Sequence, residues 1–223
     1  VGDMKFDKLA VPLDDAQRAE LRRSLGFPAD APVVVFGSVR PKEEGAVASA
    51  AAAVAAALPG SRVVVAPRHL ERVPGTVSSL ESHGLVTALR SGGGREEARA
   101  VVIDTTGELA RIYAAGVVSF VGGTLAPYGG HDPLEPAAQG VPVIVGPHTE
   151  TCRDAAKRLI AAGAAFEVPD GLALGRELVR LLSDDAARTE ARTSALNTIA
   201  VGRGATARTL EFLESNGVID ATA

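Results

Sequence analysis

Short, continuous hydrophobic runs alternate along this chain with longer segments in which apolar residues recur at helical spacing. Continuous apolar runs of roughly four to eight residues are typical of strands that a parallel sheet buries on both faces. These runs predict strands at residues 32–38, 62–67, 85–89, 100–104, 117–122 and 141–146, and a short edge strand at residues 166–168.

The segments between the runs predict helices, because their apolar residues are periodic and acidic residues, glycine or proline bound them. The predicted helices lie at residues 14–24, 43–58, 68–82 with a break at Pro74, 105–115, in a short segment that carries Glu135, at 149–162, and from 170 to the end with breaks near Asp184 and Gly202. Strands that alternate with helices form βαβ units. The predicted fold is therefore α/β, a Rossmann-like, doubly wound parallel sheet of about six strands with a helical C-terminus.

The domain organisation follows from where this pattern begins. Residues 1–13 precede it and are predicted to be an inter-domain linker arm, whereas residues 14–223 are predicted to form one Rossmann-like domain. The chain starts with Val rather than Met and shows no signal peptide. We therefore expect it to be a piece of a longer protein.

Composition narrows the class of protein. The chain is 46% hydrophobic and 22% charged, which predicts a soluble globular domain, and its formal net charge of −4 argues against a nucleic-acid partner. The longest apolar run, residues 46–58, falls short of the about 20 residues that a membrane-spanning helix needs. The single cysteine, Cys152, excludes an internal disulfide, and its place in a predicted helix favours a small buried residue over a nucleophile.

Polar and glycine residues concentrate where the predicted strands end. Ligands of open parallel sheets bind beyond the carboxyl ends of the strands, so these residues are the candidates for a binding site. They are Ser38, Arg40, Arg68, His69, Thr106, Gly107, Glu108, Gly123, Gly130, His131, Asp132 and Glu135. The serine hydroxyl, the arginines and His69 suit a phosphate or a carboxylate.

The most informative segment is 120–150, FVGGTLAPYGGHDPLEPAAQGVPVIVGPHTE. Glycines after a buried strand let backbone N–H groups approach a ligand, and the helix that follows presents further N–H groups to an anion. The Glu135 carboxylate on that helix can accept hydrogen bonds from two sugar hydroxyls. This arrangement predicts a pocket for a nucleotide sugar.

Each candidate also has a structural explanation. Ser38 could simply cap a helix and leave Arg40 in solvent. Residues 105–108 and 132–135 both fit a capping box, in which the first residue caps a helix and the acid three positions later reaches back. The boxes explain the acids but do not explain the glycines and His131 upstream.

Several nucleotide and metal motifs are missing from the sequence. It contains no Walker A loop, no dinucleotide GxGxxG after the first predicted strand, no Cys/His metal spacing and no GxSxG nucleophile turn. The sequence therefore predicts no metal site and no cofactor.

Motifs spread along nearly the whole chain carry a resemblance to a known family. They are VGDMKFD at residues 1–7, PRHLERV at 67–73, DTTGEL at 104–109 and VGGTL…GGHDPLEPAAQGVPVIVGPHT at 121–149. Together they resemble the C-terminal domain of 3-deoxy-D-manno-octulosonic acid (Kdo) transferases, glycosyltransferases of lipopolysaccharide biosynthesis with a GT-B fold. The chain departs from the family at Asp132, where Asn is usual, in SVRPKEE after the first strand, and in TETCRD at 149–154.

The resemblance implies a division of labour between two domains. The C-terminal domain would bind the donor CMP-Kdo, with Glu135 on the ribose. An N-terminal domain absent from this chain would bind the lipid A precursor, carry the catalytic base and associate with the cytoplasmic face of the bacterial inner membrane. The resemblance further implies transfer without a metal and no catalytic residue on this chain, so Glu43, Glu44 and Glu135 are not expected to activate the acceptor.

Two other functions remain open at this point. The chain could belong to another GT-B glycosyltransferase or to a sugar-nucleotide epimerase that uses a UDP-sugar, because these share the Gly-Gly…Glu…Gly-x-Pro frame. It could also be a non-catalytic nucleotide-binding module. Selectivity between CMP and UMP distinguishes the first alternative from the Kdo transferase.

Overall fold

A single parallel sheet organises the protein. A computed structural model describes residues 2–93, 95–216 and 218. Over these residues the sheet has seven strands: β1 (Val33–Val39), β2 (Arg62–Pro67), β3 (Thr87–Leu89), β4 (Ala100–Val102), β5 (Val118–Val121), β6 (Val143–Val145) and β7 (Ala165–Glu167). Their order is β3-β4-β2-β1-β5-β6-β7, and every neighbouring pair is parallel. The predicted doubly wound sheet is confirmed, and β7 is the predicted edge strand.

Helices cover both faces of this sheet. In the described residues they are α1 (Asp15–Ser24), α2 (Glu44–Ala57), α3 (Val73–Ser82), α4 (Leu109–Ile112), α5 (Leu134–Ala138), α6 (Arg153–Ala161), α7 (Gly171–Ser183), α8 (Asp185–Gly202) and α9 (Ala205–Ser215). Successive side chains of β1 lie on opposite faces of the sheet, so each face needs a layer of helices to bury them. Val34 and Phe36 pack in the cluster with α2, α3 and α7, whereas Val33 and Val35 pack in the cluster with α1.

Three predicted helix boundaries are wrong. Pro74 does not break a helix, because it lies in the first turn of α3, where proline costs no hydrogen bond. The helix predicted at 105–115 begins only at Leu109 and ends in a 3-10 turn at Tyr113–Ala115. The helix predicted at 149–162 begins only at Arg153. Because α4 and α6 begin later than predicted, the loops that precede them at the carboxyl edge of the sheet are longer than predicted.

The C-terminal helices break where the sequence predicts. Asp184 ends α7 and caps α8, where its carboxylate accepts the Ala187 N–H at 2.9 Å. Gly202 ends α8. The remainder of the predicted helical stretch, residue 217 and residues 219–223, lies outside the described residues.

The beginning of the chain packs onto these C-terminal helices. A 3-10 turn at Met4–Lys8 buries Phe6 in the cluster formed with α5, α6 and α8. The Asp7 carboxylate accepts the N–H groups of Thr206 at 2.7 Å and Gly204 at 2.5 Å. These hydrogen bonds, above all those from Thr206, lower the pKa of Asp7 to about 2. No helix within the described residues is long and apolar enough to cross a bilayer.

Candidate functional site

Three loops meet at the carboxyl edge because β2, β1 and β5 are neighbours in the sheet. Arg40 follows β1, and its Nη1 lies 2.8 Å from Nε2 of His69, which follows β2. The Arg40 guanidinium also lies over the ring of Tyr128 in the loop after β5, 4.8 Å from its centroid. The structure therefore brings together two predicted site residues and adds Tyr128, which the sequence analysis did not single out.

His131 lies close enough to this cluster for its charges to shift the pKa of the imidazole. Burial is the largest cause that lowers the pKa of His131 to about 4, and repulsion from Arg68, Arg40 and His69 contributes to the same shift. His131 is therefore neutral at pH 7 and offers one N–H donor or one acceptor nitrogen. The nearby Arg68 and Arg40 place positive charge at this edge of the sheet, as a site for an anion requires.

Glu135 stands beside these cations on α5. Burial raises its pKa, the like charge of Asp132 raises it further, and Arg68 opposes both. Within the described part of the chain, no side chain or backbone N–H donates a hydrogen bond to the Glu135 carboxylate. The capping box considered for residues 132–135 is wrong for Glu135, because among the described residues the Asp132 N–H does not donate to the Glu135 carboxylate, although the Asp132 carboxylate accepts the N–H of Leu134 at 2.9 Å. The carboxylate remains available to hydroxyl groups of a ligand.

The glycine loop between β5 and α5 uses its own N–H groups internally. Gly123 (φ +75°) donates to the Glu43 carboxylate at 2.7 Å, and Gly130 (φ +86°) donates to the Gly123 carbonyl at 2.8 Å. These two N–H groups are therefore not free for an anion, contrary to the expectation from the sequence. The glycines instead permit a tight loop that carries His131 to the cluster.

Glu43 is a second residue of the site, after Tyr128, that the sequence analysis did not select. Its side chain is fully buried, and its two carboxylate oxygens accept backbone N–H groups of Arg40 at 3.0 Å, Gly123 at 2.7 Å and Leu125 at 2.8 Å. Glu43 thereby joins the loop after β1 to the loop after β5.

Ser38 does not cap a helix. It lies within β1 with a φ of +54°, where the β1–β2 register is interrupted between Phe36 and Val39. A left-handed conformation at a residue other than glycine costs about 1 kcal/mol or more and is often found at functional sites. The structural explanation offered for Ser38 is therefore wrong, while its contact with a ligand stays a prediction.

The loop after β4 stands apart from the Arg40 cluster, because β2 lies between β4 and β1. Thr106 and Gly107 are exposed there. The Glu108 carboxylate accepts the Thr105 hydroxyl and lies 3.3 Å from Arg90 Nε. The capping box predicted for residues 105–108 is wrong because α4 begins one residue after Glu108.

A cavity of about 350 Å³ lies on the other side of His131 and Asp132, against the start of α6. Cys152 lines it, and burial raises the pKa of the thiol to about 11. The thiol is therefore protonated at neutral pH, which argues against a nucleophile.

The pKa of His131 gives a testable pH dependence. The folded protein disfavours the imidazolium, so the contribution of His131 to stability is complete above about 6.5 and is lost as the pH falls toward about 4. We expect the His131 ring resonances in an NMR titration to have a midpoint near 4. A midpoint near 6.5 would contradict the burial of this ring. His131→Asn should flatten the corresponding part of the curve of unfolding free energy against pH.

Several known proteins are similar to this chain in sequence. No model of a protein family matches the chain. It is 36% identical over 219 residues to the 3-deoxy-D-manno-octulosonic acid transferase of Bordetella pertussis, covering 96% of this chain and 50% of that protein. It is 31% identical over 150 residues to the Aquifex aeolicus transferase of the same name, covering 67% of this chain and 42% of that protein. The chain thus spans about half the length of the curated relatives it matches.

Solved structures agree with these relatives. The C-terminal CMP-Kdo binding domain of WaaA from Acinetobacter baumannii superposes with a TM-score of 0.75 at 26% identity, covering 88% of this chain and 99% of that domain. Anabaena HepE in complex with UDP gives a TM-score of 0.65 at 13% identity, over 97% of this chain and 56% of that one, and shows the fold alone.

The sheet order and the loops at its carboxyl edge define the Rossmann-like C-terminal half of a GT-B glycosyltransferase. The relatives and the WaaA domain narrow this class to one family. The chain belongs to the Kdo transferases and matches their C-terminal domain, so the resemblance found in the sequence is confirmed.

Proposed function

We propose that this chain binds CMP-Kdo and holds it for transfer of Kdo to a lipid A precursor in lipopolysaccharide biosynthesis. The observation that supports this most directly is the juxtaposition of Arg40, His69 and His131 with the Glu135 carboxylate, which accepts no hydrogen bond from the described residues. A nucleotide sugar acid carries a phosphate and a carboxylate, which suit the arginine and the histidine donors, and a ribose, which suits the carboxylate of Glu135. The WaaA domain named for binding CMP-Kdo is matched over almost its full length.

In the proposed reaction an acceptor hydroxyl attacks the anomeric carbon of Kdo, and CMP leaves. Negative charge develops on the departing phosphate, where preorganised cations stabilise the transition state. Arg40 is preorganised by Tyr128 and His69, and Arg68 lies close enough to shift the pKa of both His131 and Glu135. We assign the phosphate to the arginines and the ribose to Glu135.

The catalytic base belongs, in this proposal, to the N-terminal half of the enzyme. That half would also bind the lipid A precursor and associate with the cytoplasmic face of the inner membrane. The arginines supply the positive charge that a metal would otherwise supply, so we propose transfer without a metal. Thr106, Gly107 and Glu108 would reach the donor only across the width of β2, at the edge of the nucleotide site.

We expect Glu135→Gln to weaken CMP binding by about 1–3 kcal/mol, because a carboxylate that accepts two ribose hydroxyls loses one charge-assisted partner. Calorimetric titration of the chain with CMP, with UMP as the competing nucleotide and a chelator in a parallel run, measures this. Glu211→Gln, an exposed carboxylate on α9, is the matched control and should bind CMP normally. Unchanged affinity in Glu135→Gln would reject its role, and preferential binding of UMP would favour a UDP-sugar enzyme.

Arg68→Gln should weaken the binding of CMP by at least about 1.5 kcal/mol and leave cytidine unaffected, because only CMP carries the phosphate. Arg68 is exposed at the end of β2, so the substitution should not unfold the domain. Equal losses for both ligands would show that Arg68 acts on the shape of the site rather than on the phosphate.

A further inference from the structure

A second cluster of arginines lies at the opposite, amino edge of the sheet. A pocket of about 270 Å³ opens there between α1, α8 and the segments that lead into β5 and β6. Arg18 and Arg22 of α1 and Arg188 and Arg192 of α8 all line it, with Asp15 as the one lining carboxylate among the described residues. The chain as a whole carries a net charge of −4, so this concentration of positive charge is local.

Arg18 and Arg22 are fixed in place by carbonyl groups rather than by carboxylates. Arg18 is buried and donates to the carbonyls of Leu13 at 3.0 Å, Ala114 at 2.9 Å and Gln139. Arg22 donates through Nε to Ala115 and through Nη1 to Ala29, both at 2.9 Å. Such bonds hold the guanidinium groups rigidly but leave their full charges in the pocket.

The charge in this pocket is only partly balanced. Burial above all, and then the charges of Arg192 and Arg22, lower the pKa of Arg18 to about 10 against the smaller opposing effect of Asp15. In the residues described, neither Arg18 nor Arg22 has a carboxylate oxygen within 4.0 Å. A buried cation without a paired anion is costly, and a bound anion would relieve that cost.

Free hydrogen-bond donors remain on two sides of the pocket. Arg188 is engaged, since it donates to the carbonyls of Leu181 and Leu182, both at 2.7 Å, and pairs with Asp185. Arg192 lies one turn further along α8, and its guanidinium donates to no group in the described part of the chain. Nη2 of Arg22 is likewise without an acceptor there. These donors come from different helices and converge on one space.

We propose that this pocket is a second anion site that binds a phosphate group, with Arg192 and Nη2 of Arg22 as the donors and Arg18 as the fixed charge behind them. A tetrahedral phosphate accepts donors from several directions and suits the planar fork of arginine. A water molecule occupies about 30 Å³ of liquid, so the pocket admits a phosphate with its remaining hydration. The site is separate from the nucleotide edge and does not depend on the proposed donor function.

NMR titration of the whole chain with inorganic phosphate, at constant ionic strength against chloride, tests the site. Gly116, Val117 and Gly140 line the pocket, so their backbone amide resonances should shift with phosphate but not with chloride. Arg192→Gln should weaken this binding at least about tenfold, the usual loss for a hydrogen bond to a charged group. Shifts at the Gly130 and His131 amides would report separately on phosphate at the nucleotide edge.

The matched control is Arg176→Gln, which removes an exposed arginine of α7 and should leave the phosphate affinity unchanged. The proposal is overturned if phosphate leaves the pocket amides unmoved, or if Arg192→Gln and Arg176→Gln bind phosphate alike. Sedimentation of the chain with phosphatidic acid vesicles, compared with phosphatidylcholine vesicles, then identifies the source of the phosphate group. Sedimentation that Arg192→Gln abolishes assigns a lipid phosphate, and phosphate binding without sedimentation assigns a free phosphate ester.

Discussion

Replacing Glu43 by alanine should destabilise the domain by about 3 kcal/mol or more. The substitution leaves the N–H groups of Arg40, Gly123 and Leu125 without their acceptor, and each unsatisfied buried group costs about 1–3 kcal/mol. Urea unfolding measures the effect as a lower midpoint with an unchanged slope. The loss of stability in Glu43→Gln should be smaller than in Glu43→Ala but not zero. An amide keeps one acceptor oxygen but turns its NH₂ group toward at least one of these donors.

Glu44 supplies the matched control at the neighbouring position. Its carboxylate pairs with Arg72 at 2.7 Å and 3.0 Å, and the Arg72 side chain is 40% exposed. The Glu44 side chain is only 11% exposed, but its removal leaves the Arg72 guanidinium accessible to water, so Glu44→Ala should destabilise the domain by about 1 kcal/mol, less than Glu43→Ala. If the two alanine variants were equally stable, Glu43 would not join the two loops. Loss of CMP affinity in Glu43→Gln at temperatures where it is fully folded would connect this carboxylate to the site.

The sequence could predict the sheet because burial on both faces leaves a direct mark, a run of apolar residues such as 62–67. It could also place the candidate site, since the carboxyl ends of parallel strands share one edge. Arg40, His69 and His131 all satisfy this rule, and the structure brings them together.

Helix starts at the same edge were predicted poorly, for a physical reason. Residues that usually cap helices here donate their hydroxyl groups to loop residues instead. The Thr151 hydroxyl donates to the carbonyls of Gly129 at 2.8 Å and Gly130 at 2.6 Å, so α6 begins only at Arg153. The Thr105 hydroxyl donates to the Glu108 carboxylate, and α4 begins after both residues.

Glu43 could not be predicted because its partners lie far away in the chain. Its bonds to Gly123 and Leu125 span 80 and 82 residues. In the local pattern Glu43 and Glu44 are two equivalent acids at the start of a helix. Only the tertiary structure shows that one is fully buried and the other pairs with Arg72. Local periodicity carries no information about such a difference.

Gly122→Ala should destabilise the domain by about 3 kcal/mol, the upper part of the range for overpacking. An added Cβ would lie 2.4 Å from the Ser38 carbonyl oxygen and 2.8 Å from Val39 Cα, and neither backbone atom can rotate away. Gly122 itself cannot move freely, because its N–H donates to Gly37 at 2.7 Å and its carbonyl accepts the N–H of His131 at 3.2 Å. The ends of β1 and β5 would have to separate.

Gly45→Ala is the control, and it should change the stability of the domain in the opposite direction. Gly45 lies in the first turn of α2, and an added Cβ would meet no atom within 4 Å. Alanine there should stabilise the domain by up to about 1 kcal/mol, since it restricts the unfolded chain. If Gly122→Ala were tolerated as well as Gly45→Ala, the ends of β1 and β5 would not touch in solution. The closeness of Ser38 and Arg40 to His131, on which the nucleotide site depends, would then lose its support.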